Sequence, residues 1–292
     1  MDKIELAKKI SAALNCRPDQ ITDVNEMKAG MTNDSWTFMH AGKKLIFRMP
    51  GAGTDLLIDR KQEYEAYGAV RWLDMSDKIV FFDKHTGIKI SEFIENGRAC
   101  NPDDFNDVAK CITFLRDKLH MSCKHVSGEF DLIDKINFYE TLMKQSKHSD
   151  YASVKNDIFE LSRFVKKMPK LHCLTHIDPN CDNFLITSNR VYLLDWEYAA
   201  MQDPHLDIAM FALYSNYDRM KFDKLIDIYF NGKATAEQRL KIYSYAAMAG
   251  LLWSNWCEYK ETLGITFGEY AQKQYDYAKH YASIVQCEKN RV

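Results

Sequence analysis

The sequence lacks the features that mark secreted, zinc-binding and membrane proteins. Its eight cysteines never form a Cys-x-x-Cys pair, and their spacing fits neither a zinc site nor a disulfide framework. Scattered thiols of this kind indicate a reducing compartment, so we expect a cytoplasmic protein. No stretch approaches the roughly 20 apolar residues that cross a bilayer, and the charged amino terminus lacks the apolar core of a signal peptide. We therefore expect no membrane insertion.

A strong charge of one sign is also missing. The 39 basic and 41 acidic side chains give a net charge of −2, so we expect no nucleic acid as a partner. The chain has no internal repeats, no Walker A motif and no complete Gly-x-Gly-x-x-Gly motif. With 46% hydrophobic residues in 292 it can bury a large core, and its length suits two lobes that share a cleft.

What the sequence does contain is a set of phosphoryl-transfer residues at fixed spacing. His176, Asp178 and Asn183 lie in one segment, and Asp195 follows it. In protein kinases, a catalytic-loop His and Asp are followed by an Asn and then by an Asp that binds Mg²⁺. An isolated His-x-Asp is common by chance, but the whole pattern is far more specific. It predicts the catalytic loop of a kinase, with His176 and Asp178 as its catalytic residues.

Each residue type in this pattern suits one part of the reaction. Asp178 can accept the proton of a substrate hydroxyl that is held in line with the γ-phosphorus of ATP. Asn183 and Asp195 offer the hard oxygen ligands that Mg²⁺ prefers. Apolar residues on both sides of a Ser188-Asn189 turn predict a short hairpin that brings these two ligands together. ATP and Mg²⁺ are therefore the expected cofactors.

The residues that bind the nucleotide are less clearly indicated by the sequence. The segment from Met27 to Trp36 lies between two predicted strands, and its small and polar residues, including Thr32 and Asn33, can form a turn whose N–H groups face phosphate oxygens. An ordinary hairpin loop would have much the same composition. Thr32 and Asn33 are therefore only candidate nucleotide-binding residues.

A basic residue on the next predicted strand is a stronger candidate. Arg48 stands where protein kinases have the lysine that contacts the α- and β-phosphates, and Glu63 on the following helix is its expected partner. Glu65 competes for that role, and an ordinary surface run of charges is the alternative explanation. The adenine is expected to dock against backbone groups of the segment from Glu92 to Ile94.

The pattern of short strands and long helices predicts an α+β protein with a bilobal, protein-kinase-like fold. Strands are predicted at 36–39, 43–49, 78–82 and 87–93, with one inserted helix at 56–73. From Pro102 onward the periodicity is helical. We expect a small β-rich nucleotide-binding lobe over residues 1–94 and a larger, mainly helical lobe over residues 95–292 that carries the catalytic loop and the acceptor pocket.

Aromatic residues near the carboxyl end suggest how the acceptor binds. Trp253 and Trp256 share one face of a predicted helix, and core packing is the ordinary explanation for such a pair. A quaternary ammonium, however, has no conventional hydrogen bond to donate and is bound by the negative faces of aromatic rings beside a carboxylate. Tyr198, which follows Glu197 near the metal site, and Tyr270 could complete an aromatic enclosure for such a cation.

With these residues in hand, the chain resembles the choline/ethanolamine kinase family, within the wider group of aminoglycoside-phosphotransferase-like kinases. The resemblance covers nearly the whole length. It implies that the substrate is choline, that Asp178 is the base, that Asn183 and Asp195 hold Mg²⁺, and that Asp207 braces the catalytic loop. It also implies that the trimethylammonium is enclosed by Tyr198, Trp253, Trp256 and Tyr270.

One departure from the family pattern leaves the carboxylate partner of the cation open. Tyr214 and Tyr217 occupy the neighbourhood where related eukaryotic enzymes have an acidic residue, so the partner is Glu197, Asp178 or no residue at all. Ethanolamine, thiamine and aminoglycosides are alternative acceptors, and a nucleotide-binding pseudokinase is the alternative from another class. A homodimer is possible.

Overall fold

A computed structural model of the chain describes residues 2–27, 33–51, 53–54 and 56–291. Its first half is rich in strands and its second half in helices. The strands are β1 (Thr22–Glu26), β2 (Asn33–His40), β3 (Lys43–Pro50), β4 (Ile79–Phe82), β5 (Lys89–Glu92), β6 (Arg98–Ala99), β7 (Cys173–Thr175), β8 (Phe184–Ile186), β9 (Val191–Leu193) and β10 (Ala200–Gln202). The helices are α1 (Lys3–Leu14), α2 (Arg60–Val70), α3 (Phe105–Phe114), α4 (Leu132–Met143), α5 (Tyr151–Val165), α6 (His205–Tyr214), α7 (Arg219–Phe230), α8 (Ala236–Thr262) and α9 (Tyr270–Glu288).

An antiparallel sheet in the order β1-β2-β3-β5-β4 forms the amino-terminal part. The predicted turn at Ala41-Gly42 joins β2 to β3, and both of its residues have positive φ (49° and 74°), as a two-residue hairpin turn of matching twist requires. Alternating apolar residues of β2 and β3, including the fully buried Phe38 and Phe47, meet Leu6 and Ile10 of α1 in a separate small core. The four predicted strands are confirmed, each within a few residues.

The helical part is built around α8, whose 27 residues are buried along nearly their whole length. It packs against α4, α5, α6 and α9. A Cβ atom at Gly250 would lie 2.7 Å from the backbone oxygen of Gln274, so a residue without a side chain is needed where α8 and α9 touch. No helix in the described ranges is both long and apolar enough to cross a membrane.

Helix α2 connects the two parts. It was predicted at 56–73 and is observed from Arg60 to Val70, because the Asp59 side chain caps it by accepting the N–H groups of Lys61 (2.9 Å) and Gln62 (3.1 Å). Its buried residues Ala66, Tyr67 and Val70 belong to the same apolar core as the helices of the second half. The predicted lobe boundary at residues 94 and 95 stays a prediction.

Candidate active site

The predicted catalytic hairpin is present. Strands β8 and β9 pair antiparallel, with Phe184 opposite Leu193, and the Thr187 N–H donates to the Arg190 carbonyl across the turn (2.9 Å). The Leu194 N–H then donates to the Asn183 carbonyl (2.8 Å). Asn183 and Asp195 are therefore brought together at the open end of the hairpin.

The catalytic loop leaves β7 in a conformation that Asp207 holds. The Asp207 carboxylate accepts the backbone N–H groups of His176 (2.8 Å) and Ile177 (2.7 Å), and Ile177 has a φ of 69°. A β-branched residue rarely adopts positive φ, so these two hydrogen bonds offset local strain. The bracing role of Asp207 that the family resemblance implied is confirmed.

A second contact fixes Asp207 itself. A π-helical turn, Leu115–His120, follows α3 and directs the His120 ring to Asp207, with Nε2 3.0 Å from Oδ2. The other ring nitrogen lies 2.9 Å from the Tyr229 hydroxyl. The brace is thus part of a buried polar network, which carried no sequence signal because π-helical turns depend on tertiary packing.

His176 is fully buried. Its Nε2 lies 2.8 Å from the Leu194 carbonyl, and its ring meets Trp196 edge-on, with the ring centroids 4.7 Å apart. Burial lowers the pKa of this imidazole and so favours its neutral form. The geometry gives His176 a positioning role that joins the catalytic loop to the segment carrying Asp195, and a direct catalytic role stays a prediction.

Asp178 is held by amide groups of its own loop. Asn183 Nδ2 donates to the Asp178 carbonyl (2.8 Å) and to its Oδ2 (3.1 Å), and Asn180 Nδ2 lies 3.3 Å from both carboxylate oxygens. Burial raises the pKa of Asp178 to about 7, with the Tyr214 hydroxyl opposing the rise and the charge of Asp195 adding to it. Such a carboxyl group can take up and release a proton near neutral pH.

Because Asn183 donates through its nitrogen, its side-chain oxygen is directed away from Asp178 and can serve as a metal ligand. Asp195, which follows β9 with a φ of 64°, adds a partly exposed carboxylate. An amide oxygen and a carboxylate oxygen form a donor set that suits Mg²⁺. The residues present therefore fit the predicted metal, although metal binding itself stays a prediction.

Arg48 lies between two carboxylates. Its guanidinium makes short ion pairs with Glu63 of α2 through one nitrogen and with Asp195 through the other, and its side chain is only 6% exposed. The predicted pairing with Glu63 is thus present, while the competitor Glu65 instead accepts from the Ser127 N–H (3.2 Å) and hydroxyl. The contact with Asp195 joins the predicted phosphate-binding and metal-binding residues, and the role of this unit in nucleotide binding stays a prediction.

Three further residues extend the charge cluster formed by Arg48, Glu63 and Asp195. They are Asn33, Arg60 and Glu197, and sequence analysis did not connect them with this cluster. Glu197 accepts from Asn33 Nδ2 (2.9 Å) and lies 3.6 Å from Arg60 Nη1, which also pairs with Glu63 (2.9 Å). Burial raises the pKa of Glu197 to about 7, with Asp195 adding to the rise and Arg48 opposing it. Glu197 therefore faces the guanidinium groups of the cluster. No local pattern predicts contacts over such sequence distances.

The remaining predicted nucleotide-binding residues are Thr32, Glu92 and Ile94. Thr32 lies outside the described residues. The Glu92 side chain contacts Lys43 (2.9 Å) and Lys78 (3.1 Å), and its N–H donates to the Lys78 carbonyl (2.9 Å). Since the Phe93 N–H is also used within the sheet, Ile94 is the remaining N–H donor for an adenine in this segment. The docking itself stays a prediction.

An aromatic cluster lies next to Asp178. Its central ring, Trp253, meets Tyr198 at 5.6 Å, Tyr214 at 6.0 Å and Trp256 at 6.0 Å between centroids. Trp256 in turn packs on Phe267 at 4.9 Å. We refer to these five residues, Tyr198, Tyr214, Trp253, Trp256 and Phe267, as the aromatic cluster. The structure thus brings together Tyr198, Trp253 and Trp256 as predicted.

Tyr214 and Phe267 are the members of the aromatic cluster that sequence analysis did not predict. Burial raises the pKa of Tyr214 well above its usual range, and the nearby charge of Asp178 adds to the rise. Tyr270, the fourth predicted member, is close enough to Asp178 for that charge to contribute to its raised pKa, after burial. Tyr214 therefore lies close to the predicted base and also belongs to the aromatic cluster.

Comparisons with known proteins agree with this arrangement. A family model described as choline/ethanolamine kinase matches residues 24–238. The chain belongs to the choline/ethanolamine kinase family. Protein LicA of Haemophilus influenzae is 26% identical to it over 266 residues, which cover 85% of this chain and 97% of that protein.

Two LicA structures are similar along nearly the whole length. The crystal structure of choline kinase LicA from Streptococcus pneumoniae is 28% identical, with a TM-score of 0.83 over 96% of this chain and 98% of that one. A structure of LicA in complex with AMP is 27% identical, with a TM-score of 0.81 over 98% and 99% of the two chains. The predicted kinase-like fold is therefore confirmed, and this family member is a small-molecule kinase.

Proposed function

We propose that this kinase transfers the γ-phosphate of ATP to the hydroxyl of choline, with Mg²⁺ as its metal cofactor. The observation that carries the proposal is that Tyr214 lies close to Asp178 and also packs against Trp253 of the aromatic cluster. A proton acceptor is thus placed near aromatic rings, and an alcohol with a cationic end needs both. The similar LicA structures, one described as a choline kinase and one as a complex with AMP, support both substrates.

The acceptor side follows from the chemistry of a quaternary ammonium. The rings of Tyr198 and Trp256 each meet Trp253 edge to face, at 82° and 86° between ring planes. Aromatic faces attract such a cation by about 0.5–2 kcal/mol each. Of the three options for its carboxylate partner, Asp178 is favoured, because Glu197 is turned towards Arg48 and Arg60.

On the phosphate side, the chain's own residues position the groups that react. Asp178 accepts the proton of the choline hydroxyl, and the Asn183 amide keeps its carboxylate in one orientation. Arg48, fixed by Glu63, offers positive charge to the nucleotide phosphates. Mg²⁺, held by Asn183 and Asp195 when it is bound, neutralises charge on the phosphates.

Other acceptors need different surroundings. A primary ammonium such as that of ethanolamine needs hydrogen-bond acceptors more than ring faces, and an aminoglycoside with several cationic groups needs an acidic groove. The dominance of rings around Trp253 favours choline over both.

A coupled assay of ADP release with choline, ethanolamine, thiamine and kanamycin tests the proposal. We expect Mg²⁺-dependent turnover with the highest kcat/KM for choline. A higher kcat/KM for another acceptor would reject choline as the preferred substrate, and the absence of turnover with every alcohol, together with retained ATP binding, would indicate a pseudokinase.

A further inference from the structure

A lysine lies within the proposed acceptor pocket. Lys260, one helical turn after Trp256 on α8, is 1% exposed, and its Nζ lies 5.6 Å from the centroid of the Trp256 ring. Phe267 packs against the same indole, tilted by 30° from its plane. Phe267 and the Lys260 ammonium are therefore both neighbours of this ring.

Gly53, in the segment between β3 and α2, also lies near this ammonium, since a Cβ atom there would be 3.9 Å from Lys260 Nζ and 3.6 Å from the Tyr259 hydroxyl. Burial lowers the pKa of Lys260, and the nearby charge of Glu197 opposes this shift. The Lys260 Nζ thus lies beside the ring to which the proposed function assigns the cation of the acceptor.

Two cations cannot share one aromatic ring without a penalty. Like charges at this separation repel, and the repulsion is stronger in a buried site than in water. A small cation that reaches Trp256 must displace the Lys260 ammonium or bind beside it.

We propose that Lys260 is a specificity-determining residue of the acceptor pocket, whose ammonium competes with the cationic group of the acceptor for the Trp256 ring. This inference rests on the proposed function, since it assumes that the aromatic cluster binds a cation. Its consequence is that the pocket binds small cations less tightly than its rings alone would allow.

Tetramethylammonium is the probe, because it carries the cationic group without a hydroxyl and binds without turnover. Its Kd is measured by tryptophan fluorescence or calorimetry on the wild-type protein and on Lys260→Met, which keeps the length of the side chain and removes the charge. We expect Lys260→Met to lower the Kd about fivefold or more. An unchanged or higher Kd would overturn the inference.

Two further variants serve as controls. Lys260→Arg keeps the charge, and its planar group stacks better on an indole, so we expect the Kd for tetramethylammonium to rise at least twofold. A lower Kd in that variant would contradict the inference even if Lys260→Met failed to fold. Lys9→Met removes the same charge from the exposed face of α1, and we expect its Kd to match the wild type.

The steady-state kinetics separate this inference from the proposed function. If the wild type phosphorylates choline and Lys260→Met has an unchanged KM for choline, only the role of Lys260 is wrong. If the wild type binds tetramethylammonium but phosphorylates no alcohol, the proposed function fails while the competition between cations stands on the binding data. We expect Lys260→Met to lower the KM for choline about fivefold and to leave the KM for ATP within twofold.

Discussion

Asn183 donates its side-chain amide to both the backbone carbonyl and the carboxylate of Asp178, at 2.8 and 3.1 Å. A single residue thus orients the proposed base through its nitrogen and faces the proposed metal through its oxygen.

We expect Asp178→Asn to lower kcat by about a hundred- to ten-thousandfold, because an amide cannot accept the substrate proton. ATP binding, measured by calorimetry, should stay within about twofold of the wild type. Asp182→Asn makes the same change on an exposed side chain four residues away and should leave kcat unaltered. A wild-type rate in Asp178→Asn would show that another group is the base.

The acidic residues of α2 allow a matched test of the phosphate side. Glu63 is fully buried and holds Arg48, whereas Glu65 contacts Ser127. We expect Glu63→Gln to raise the KM for ATP about tenfold or more, since Arg48 and Arg60 both lose a buried carboxylate partner. Glu65→Gln should change this KM by less than twofold. Equal effects of the two variants would reject the assignment of Glu63.

Truncation of the central ring tests the acceptor side. We expect Trp253→Ala to raise the KM for choline about tenfold or more, and the KM for ATP by less than twofold. Because Trp253 is buried, truncation to alanine can also disturb folding, so Trp253→Phe is the companion variant. It keeps an aromatic face and should give an intermediate KM for choline. Trp72→Ala removes an indole that is 77% exposed and should leave both constants unchanged. Parallel increases in both KM values would mean that Trp253 acts only through folding.

A buried histidine away from the reacting groups makes stability depend on pH. Burial lowers the pKa of His205 to about 4, since its ring packs against Phe230 at 5.2 Å. The folded state favours the neutral ring, so its contribution is complete above the usual histidine pKa of about 6.5 and is lost as the pH falls towards 4.

Between pH 7 and pH 5 we expect this residue to remove about 2 kcal/mol from the free energy of unfolding. This loss is measured by urea unfolding of the wild type and of His205→Gln at pH 7 and at pH 5. The free energy of unfolding of the variant should fall less between the two pH values. His85→Gln, at an exposed position, should follow the wild type. The same pH dependence in all three proteins would exclude His205 as the cause.

Much of the fold and part of the site followed from local patterns. The catalytic hairpin, the turn at Ala41-Gly42 and the position of Glu63 after Arg48 were predictable, because turn chemistry and periodicity act over a few residues. The contact of Arg48 with Asp195 was not predicted, since it joins residues 147 positions apart.

The acceptor pocket shows the same limit. Trp253 and Trp256 were found from their helical spacing. Tyr214 was noted only as a departure from the family pattern, because its closeness to Asp178 depends on how α6 packs against the catalytic loop. Lys260 lies one turn beyond Trp256 and belongs to no sequence motif. Sequence analysis therefore could not predict that its ammonium lies near the indole.

The shared core of α2 and the carboxy-terminal helices restricts how such an enzyme can be controlled. In signalling kinases, activity is adjusted by moving the helix that carries the glutamate partner of the phosphate-binding residue. Here Ala66, Tyr67 and Val70 anchor that helix among the large helices, so swinging it outward would expose apolar side chains to water. The switching by helix displacement that is used in signal transduction is therefore unfavourable in this small-molecule kinase.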